Sequence, residues 1–62
     1  MRIALDAMGG DYAPATTVEG AVEALIENRD LFVILVGDEA GISLELKRKK
    51  YKGSQISIRH AS

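Results

Sequence analysis

The sequence contains no cysteine, only one histidine and no long hydrophobic run. Without cysteine there are no disulfides and no thiolate ligands, and one histidine cannot build a multi-histidine site, so we predict no metal centre. The longest apolar run, residues 31–36, is far shorter than the roughly 20 residues that cross a bilayer. Residues 1–8 hold too few consecutive apolar residues for a signal peptide. The lack of cysteine, of a membrane-spanning run and of a signal peptide predicts a cytoplasmic protein.

The net charge and the length of the chain limit which partners and which size of domain we expect. Eight Lys and Arg residues against nine Asp and Glu residues give a net charge of -1, so we expect no nucleic acid partner. The 62 residues make at most one domain, and a domain of that size buries only about 60% of the surface that its unfolded chain exposes. The composition is therefore that of a small globular unit.

Hydrophobic periodicity predicts three strands and two helices in the order βαβαβ. The predicted strands are Arg2–Ala7, Leu31–Val36 and Gln55–His60, and the predicted helices are Thr16–Asn28 and Glu39–Tyr51. The middle strand is continuously apolar, which is typical of a parallel strand with both faces covered. We therefore predict an α/β fold, namely the βαβαβ half of a doubly wound parallel sheet with right-handed crossovers.

Individual residues indicate where the two predicted helices begin and end, and one glycine lies inside the first helix. Thr16 followed by Glu19 fits a capping box at the first helix, and Asp38 fits the N-cap of the second. Gly53 is the candidate left-handed residue that ends the second helix. Gly20 lies inside the first helix, where glycine costs about 1 kcal/mol relative to alanine, so we expect it to pack closely on a strand.

The third predicted strand ends two residues before the end of the sequence, and no further helix follows to cover the sheet. An uncovered parallel sheet of three strands is a poor fold on its own. We therefore expect residues 1–62 to be one segment of a larger domain.

Titratable side chains lie at or just after the end of each predicted strand. In open α/β sheets, ligands bind outside the carboxyl ends of the strands, and these ends share one rim. Asp6 lies at the end of the first strand and Asp11 in the loop after it. Asp38 follows the second strand and His60 ends the third, so we expect these four side chains to converge. Asp6 and Asp11 either orient the loop or take part in substrate or proton chemistry. Asp38 fits an N-cap better, and His60 is either a general acid or base or a structural group.

Gly9 and Gly10 form a turn between the first strand and the first helix. Such a turn lets backbone N–H groups face an anion, helped by the helix dipole. It lacks the third glycine of a dinucleotide-binding GxGxxG motif and the GK[ST] of a Walker A loop. Anion binding and a tight turn that needs positive φ are both open interpretations.

Residues 47–52 hold five of the eight Lys and Arg residues. Such a cluster can attract an acidic partner protein. The cluster ends a predicted helix on the rim opposite the strand carboxyl ends, where cations complement the helix dipole. A solvated helix end is the favoured interpretation.

The opening segment, MRIALDAMGGDYAP at residues 1–14, closely resembles the start of bacterial phosphate acyltransferases, which carry a DAMGGD-x-AP segment there. The resemblance continues through residues 19–21, 35–38 and 60–62, and so spans the chain, but it covers only the first part of a much longer enzyme. Tyr12 stands where histidine is common in that family. No role of that histidine is therefore carried over.

The resemblance implies a Rossmann-like fold and a homodimer that transfers a fatty acyl group from acyl carrier protein to inorganic phosphate. The product, acyl-phosphate, serves phospholipid synthesis. The resemblance implies no redox cofactor, and peripheral membrane association only through regions beyond Ser62. We expect the isolated segment to be inactive.

On this interpretation, the residues of the Gly-Gly turn bind phosphate or the developing oxyanion. Asp6 and His60 are the candidate catalytic residues. The candidate phosphate-binding residues and their neighbours on the rim are Met8, Gly9, Gly10 and Asp11, with Gly37 and Asp38 beside them.

Two other functions stay open. A non-catalytic flavodoxin-like or receiver-like binding module also places acidic residues on this rim, as Asp6, Asp11 and Asp38 would be placed. A phosphotransacetylase-type enzyme would share the same doubly wound start.

Overall fold

A computed structural model of the protein describes residues 1–61 and contains the predicted elements in the predicted order. They are β1 (Arg2–Asp6), α1 (Ala15–Glu27), β2 (Phe32–Gly37), α2 (Glu39–Arg48) and β3 (Ile56–His60). The α/β prediction is confirmed. No helix within residues 1–61 is long and apolar enough to cross a membrane.

The three strands form one parallel sheet in the order β1-β2-β3. Near the carboxyl ends, Asp6 lies opposite Val36, which lies opposite Arg59. The ladder continues past the end of β1, because the Ala7 N–H donates to the Val36 carbonyl at 2.9 Å. The exit loops of all three strands therefore start from one rim of the sheet.

Both helices pack on the same face of the sheet. The strand order advances in one direction, so two crossovers of the same hand place α1 and α2 on one side. Val33 and Leu35 of β2 point to that side and are fully buried, whereas Phe32, Ile34 and Val36 on the other side are half-buried. The core consists of Ala7, Val18, Ala21, Leu25, Leu31, Val33, Leu35 and Ile42. Within residues 1–61, the chain forms two layers with one sheet face uncovered.

The start of α1 differs from the prediction. The helix begins at Ala15 with Pro14 at the N-cap and no side-chain cap, so the predicted capping box at Thr16 is wrong. Thr16 already lies inside the helix, and the Glu19 carboxylate accepts a hydrogen bond from Lys49 Nζ at 2.7 Å instead. The expected close packing of Gly20 on a strand is also wrong, because within residues 1–61 no atom beyond its chain neighbours and the backbone of its own helix lies within 4 Å of the position a Cβ would take.

The end of α2 also differs from the prediction. The helix stops at Arg48, because Lys50 adopts a left-handed φ of 57° and the Tyr51 N–H donates to the Leu46 carbonyl at 3.1 Å. This is the hydrogen bond of a Schellman motif, so the left-handed residue is Lys50 and the prediction of Gly53 is wrong. Gly53 has another constraint, since a Cβ there would lie 2.6 Å from the Tyr51 hydroxyl.

Candidate functional site

The loop between β1 and α1 is anchored by Asp6 at its first turn. Asp6 Oδ1 accepts a hydrogen bond from the Met8 N–H at 2.9 Å, in an exposed position. The carboxylate thus fixes the direction in which the chain leaves the strand. This contact gives Asp6 a structural role, and its predicted catalytic role stays a prediction.

The two glycines of the loop differ in what they require. Gly10 has a φ of 99°, a left-handed value that glycine adopts without the steric cost of a Cβ. Gly9 has no positive φ, and a Cβ there would lie 3.7 Å from Asp6 Oδ2, which is an ordinary contact. The turn explains Gly10, whereas the fold of residues 1–61 does not explain Gly9.

Met8 links this loop to the end of β2. Its side chain, which is 44% exposed, lies directly over Gly37. A Cβ on Gly37 would come within 2.5 Å of Met8 Cγ and 2.9 Å of Met8 Sδ. The absence of a side chain at Gly37 is therefore what admits Met8.

A cleft of about 490 Å³ opens beside this contact, at the carboxyl ends of β1 and β2. Its wall is mostly apolar, and Asp6 is the titratable residue in the lining that the structure describes. The lining residues are Ala4, Leu5, Asp6, Met8, Val36, Gly37 and Ala61. The cleft is open and combines backbone of the loop with one carboxylate.

Asp38 and His60 serve the first turn of α2. Asp38 is the N-cap, as predicted, and its Oδ2 accepts the Gly41 N–H at 3.2 Å. His60 Nδ1 accepts the Glu39 N–H at 3.2 Å. Both side chains thus satisfy backbone donors that a helix start leaves without intrahelical partners.

The four predicted rim residues share one end of the sheet but make different contacts. Asp6 holds the β1–α1 loop, whereas Asp38 and His60 cap α2. Asp11 is exposed in the loop and makes no side-chain hydrogen bond within residues 1–61. Gly37 lies between the two groups, since it pairs with His60 in the ladder.

The sequence predicts Met8 and Gly37 at the rim, but it does not predict the contact between them. A glycine at the end of a strand signals a turn or a close approach. It does not say which side chain approaches, because that depends on packing between loops distant in sequence.

The start of α1 differs electrostatically from that of α2. It has no side-chain cap and no acidic residue in its first turn. No side chain of the cap or of the first turn therefore compensates the positive end of the helix dipole, which favours a nearby anion.

Comparison with known proteins identifies the family. The family model described as "Fatty acid synthesis protein" matches residues 1–62. A phosphate acyltransferase of Fusobacterium nucleatum is 57% identical over 61 residues, which are 98% of this chain and 18% of that protein. Phosphate acyltransferases of Alkaliphilus oremlandii and Dictyoglomus turgidum are 48% and 54% identical, over 100% and 98% of this chain and 18% of each relative.

The alignments with these relatives cover 98% to 100% of this chain, although the chain spans only 18% of their length. The match therefore covers the β1–α1 loop, the rim and both helices together. The chain belongs to the fatty acid synthesis protein family.

Proposed function

We propose that the full-length protein carrying this sequence transfers a fatty acyl group from acyl carrier protein to inorganic phosphate. The observation that carries the proposal is the set of relatives named phosphate acyltransferase, which are 57%, 48% and 54% identical to this chain. The proposal includes a homodimer in the cytoplasm that supplies acyl-phosphate for phospholipid synthesis and touches the membrane through other regions. The 62-residue segment alone is inactive in this proposal.

The reaction is a substitution at a thioester carbonyl. An oxygen of hydrogen phosphate attacks the carbonyl carbon, the new C–O bond forms and the C–S bond breaks. The proton of hydrogen phosphate passes to the departing sulfur, which leaves acyl-phosphate and the free thiol of the carrier. The enzyme must position phosphate and stabilise the oxyanion that develops on the carbonyl oxygen.

The β1–α1 loop is the proposed phosphate or oxyanion site. Its backbone from Met8 to Asp11 precedes α1, whose first turn has no side-chain cap. Gly9 supports the assignment, because neither its φ nor its surroundings in residues 1–61 require glycine. A ligand that approaches the backbone closely does require it.

The two carboxylates of the loop act indirectly in this proposal. A carboxylate repels a phosphate, so direct contact is unfavourable. Asp6 already accepts the Met8 N–H, and it orients the loop in this way. Asp11, exposed at the tip of the loop, has the same proposed role.

The test is Gly9→Ala in a full-length phosphate acyltransferase that carries this sequence at residues 1–62. The methyl group has room in the fold, since its nearest neighbour would be Asp6 Oδ2 at 3.7 Å. We expect an unchanged melting temperature and a rise in KM for phosphate of about tenfold or more, because small misplacements at a reacting centre are costly. Acyl-phosphate formation is measured with acyl-ACP and, separately, with acetyl-CoA as the donor.

Gly20→Ala is the matched control, because Gly20 has open space around it and no positive φ. It should leave the kinetics unchanged. Normal kinetics in a folded Gly9→Ala protein would remove the loop from the mechanism. A preference for acetyl-CoA over acyl-ACP would replace the proposed enzyme with a phosphotransacetylase-type enzyme.

A further inference from the structure

We infer that Gly37 is a positioning residue for the β1–α1 loop: its lack of a side chain seats Met8, and the seated Met8 sets where Gly9 and Gly10 lie. The kinetic consequence of this inference rests on the proposed function. Gly37 is a residue of β2, lies 28 positions after Gly9 in the sequence and is thereby a determinant of the proposed phosphate site.

Gly37 has close neighbours on two sides. A Cβ there would lie 2.5 Å from Met8 Cγ and 3.4 Å from Ile42 Cδ1. Ile42 is fully buried and has little freedom to withdraw. The backbone of Gly37 is also held, because its carbonyl accepts the Ala61 N–H at 2.9 Å. A side chain at position 37 therefore displaces Met8.

Displacement of Met8 is transmitted to the loop through the backbone. The Met8 N–H is bonded to Asp6 Oδ1 at 2.9 Å, and the next residue is Gly9. A shift of the side chain thus strains either the Asp6 hydrogen bond or the position of Gly9. Both changes move the backbone N–H groups proposed to face phosphate.

The experiment is a double-mutant cycle in the full-length enzyme with Gly37→Ala, Met8→Ala and the double variant. Gly37 has a φ of 157°, so part of the effect of Gly37→Ala can arise from its own backbone. That part persists when Met8 is truncated, whereas the part due to the Met8 contact disappears. The cycle separates the two contributions.

We expect Gly37→Ala to raise KM for phosphate by about tenfold, since misplacement of about 1 Å at a reacting centre costs up to a hundredfold in rate. KM for acyl-ACP should change less. Met8→Ala removes the seated side chain and should raise KM for phosphate as well. The double variant should have the phosphate KM of Met8→Ala, apart from the part due to the backbone of Gly37. Unchanged kinetics in Gly37→Ala, or effects of the two single changes that simply multiply, would overturn the inference.

A second readout does not depend on activity. In full-length protein labelled at the methionine methyl groups, the Met8 resonance is assigned by its disappearance in Met8→Ala. Gly37→Ala should shift this resonance, and Gly20→Ala should not. An unshifted resonance contradicts the seating of Met8, whether or not the enzyme is active.

The two readouts distinguish the two proposals. A wild-type enzyme that makes no acyl-phosphate refutes the proposed function, while the Met8 resonance still tests the seat. If Gly37→Ala fails to fold, recovery of the fold in the double variant supports the proposed contact between Met8 and Gly37. Equal misfolding of the single and double variants overturns it.

Discussion

Asp6 shows how one side chain at the rim can be assigned a role by its hydrogen bond. The Met8 N–H needs an acceptor, and the carboxylate oxygen of Asp6 supplies it at 2.9 Å. An asparagine oxygen can accept the same hydrogen bond, whereas alanine cannot. Neither asparagine nor alanine, in contrast, can accept a proton as the Asp6 carboxylate can.

We therefore predict that Asp6→Asn keeps most of the proposed acyl-phosphate-forming activity of the full-length protein and that Asp6→Ala loses it. Loss of the hydrogen bond in Asp6→Ala should also lower the free energy of unfolding by about 1 kcal/mol. The measurements are steady-state kinetics and thermal unfolding of the two variants in parallel. Equal loss of activity in both, with the fold intact, would assign proton chemistry to Asp6.

The glycines show what the sequence can and cannot predict at this scale. Gly-Gly before a helix correctly indicated a turn, and Gly10 has the expected positive φ. Gly9, Gly20 and Gly37 could not be told apart from the sequence, because what requires or permits glycine at each position lies in its three-dimensional surroundings. Gly20 meets nothing within 4 Å, while Gly37 lies under Met8.

At the scale of the elements, the pattern of apolar residues predicted the strands and helices in the right order. The continuous run of β2 and the helical spacing of α1 are strong signals, because burial on one or both faces fixes their period. The helix ends were less predictable. Thr16 was predicted in a capping box, but the N-cap of α1 is Pro14. Gly53 was predicted as the left-handed residue after α2, but that residue is Lys50.

The rim was predictable from topology alone, since parallel strands bring their carboxyl ends together. The role of each rim side chain was not predictable in this way. Whether a side chain holds the β1–α1 loop or caps α2 depends on distances of a few ångströms that no local pattern encodes. His60, for example, accepts the N–H of Glu39, 21 residues away in sequence.

Helices α1 and α2 are joined at the surface by the ion pair of Glu19 and Lys49, whose atoms lie 2.7 Å apart. The hydrogen bond and the charge of Lys49 lower the pKa of the Glu19 carboxyl below 4.5. The unfolded chain lacks this partner, so the folded protein binds fewer protons at this site. The stabilisation is therefore complete above pH 4.5 and is lost as the pH falls through the lowered pKa.

We predict that Glu19→Gln slightly lowers the melting temperature of the full-length protein at neutral pH, and that the difference from wild type disappears in acid. The effect is small because both side chains are partly exposed, and it should decrease at high salt. Glu23→Gln is the control, as Glu23 lies one turn along α1 and forms no ion pair within residues 1–61. A difference that persists unchanged in acid would contradict the pairing.

At the scale of the whole molecule, the sheet has helices on one face only within residues 1–61. The opposite face of β2 presents Phe32, Ile34 and Val36, all half-buried, although parallel sheets are covered on both faces. The relatives are much longer, since this chain spans 18% of their length. We expect other parts of the full-length protein to pack on this uncovered face.

Ile34 tests this packing, because it lies in the middle of β2, opposite Ala4 on one side and Ser57 on the other. If the face is covered in the full-length protein, Ile34→Ser leaves a cavity and a buried hydroxyl, and should cost about 2–4 kcal/mol of unfolding free energy. Leu44→Ser is the matched control, since Leu44 is 57% exposed on α2 and should cost much less. Denaturant unfolding of both variants measures the difference. Equal, small losses would mean that the central strand keeps one face open in the full-length protein, and the doubly wound arrangement would then not apply to it.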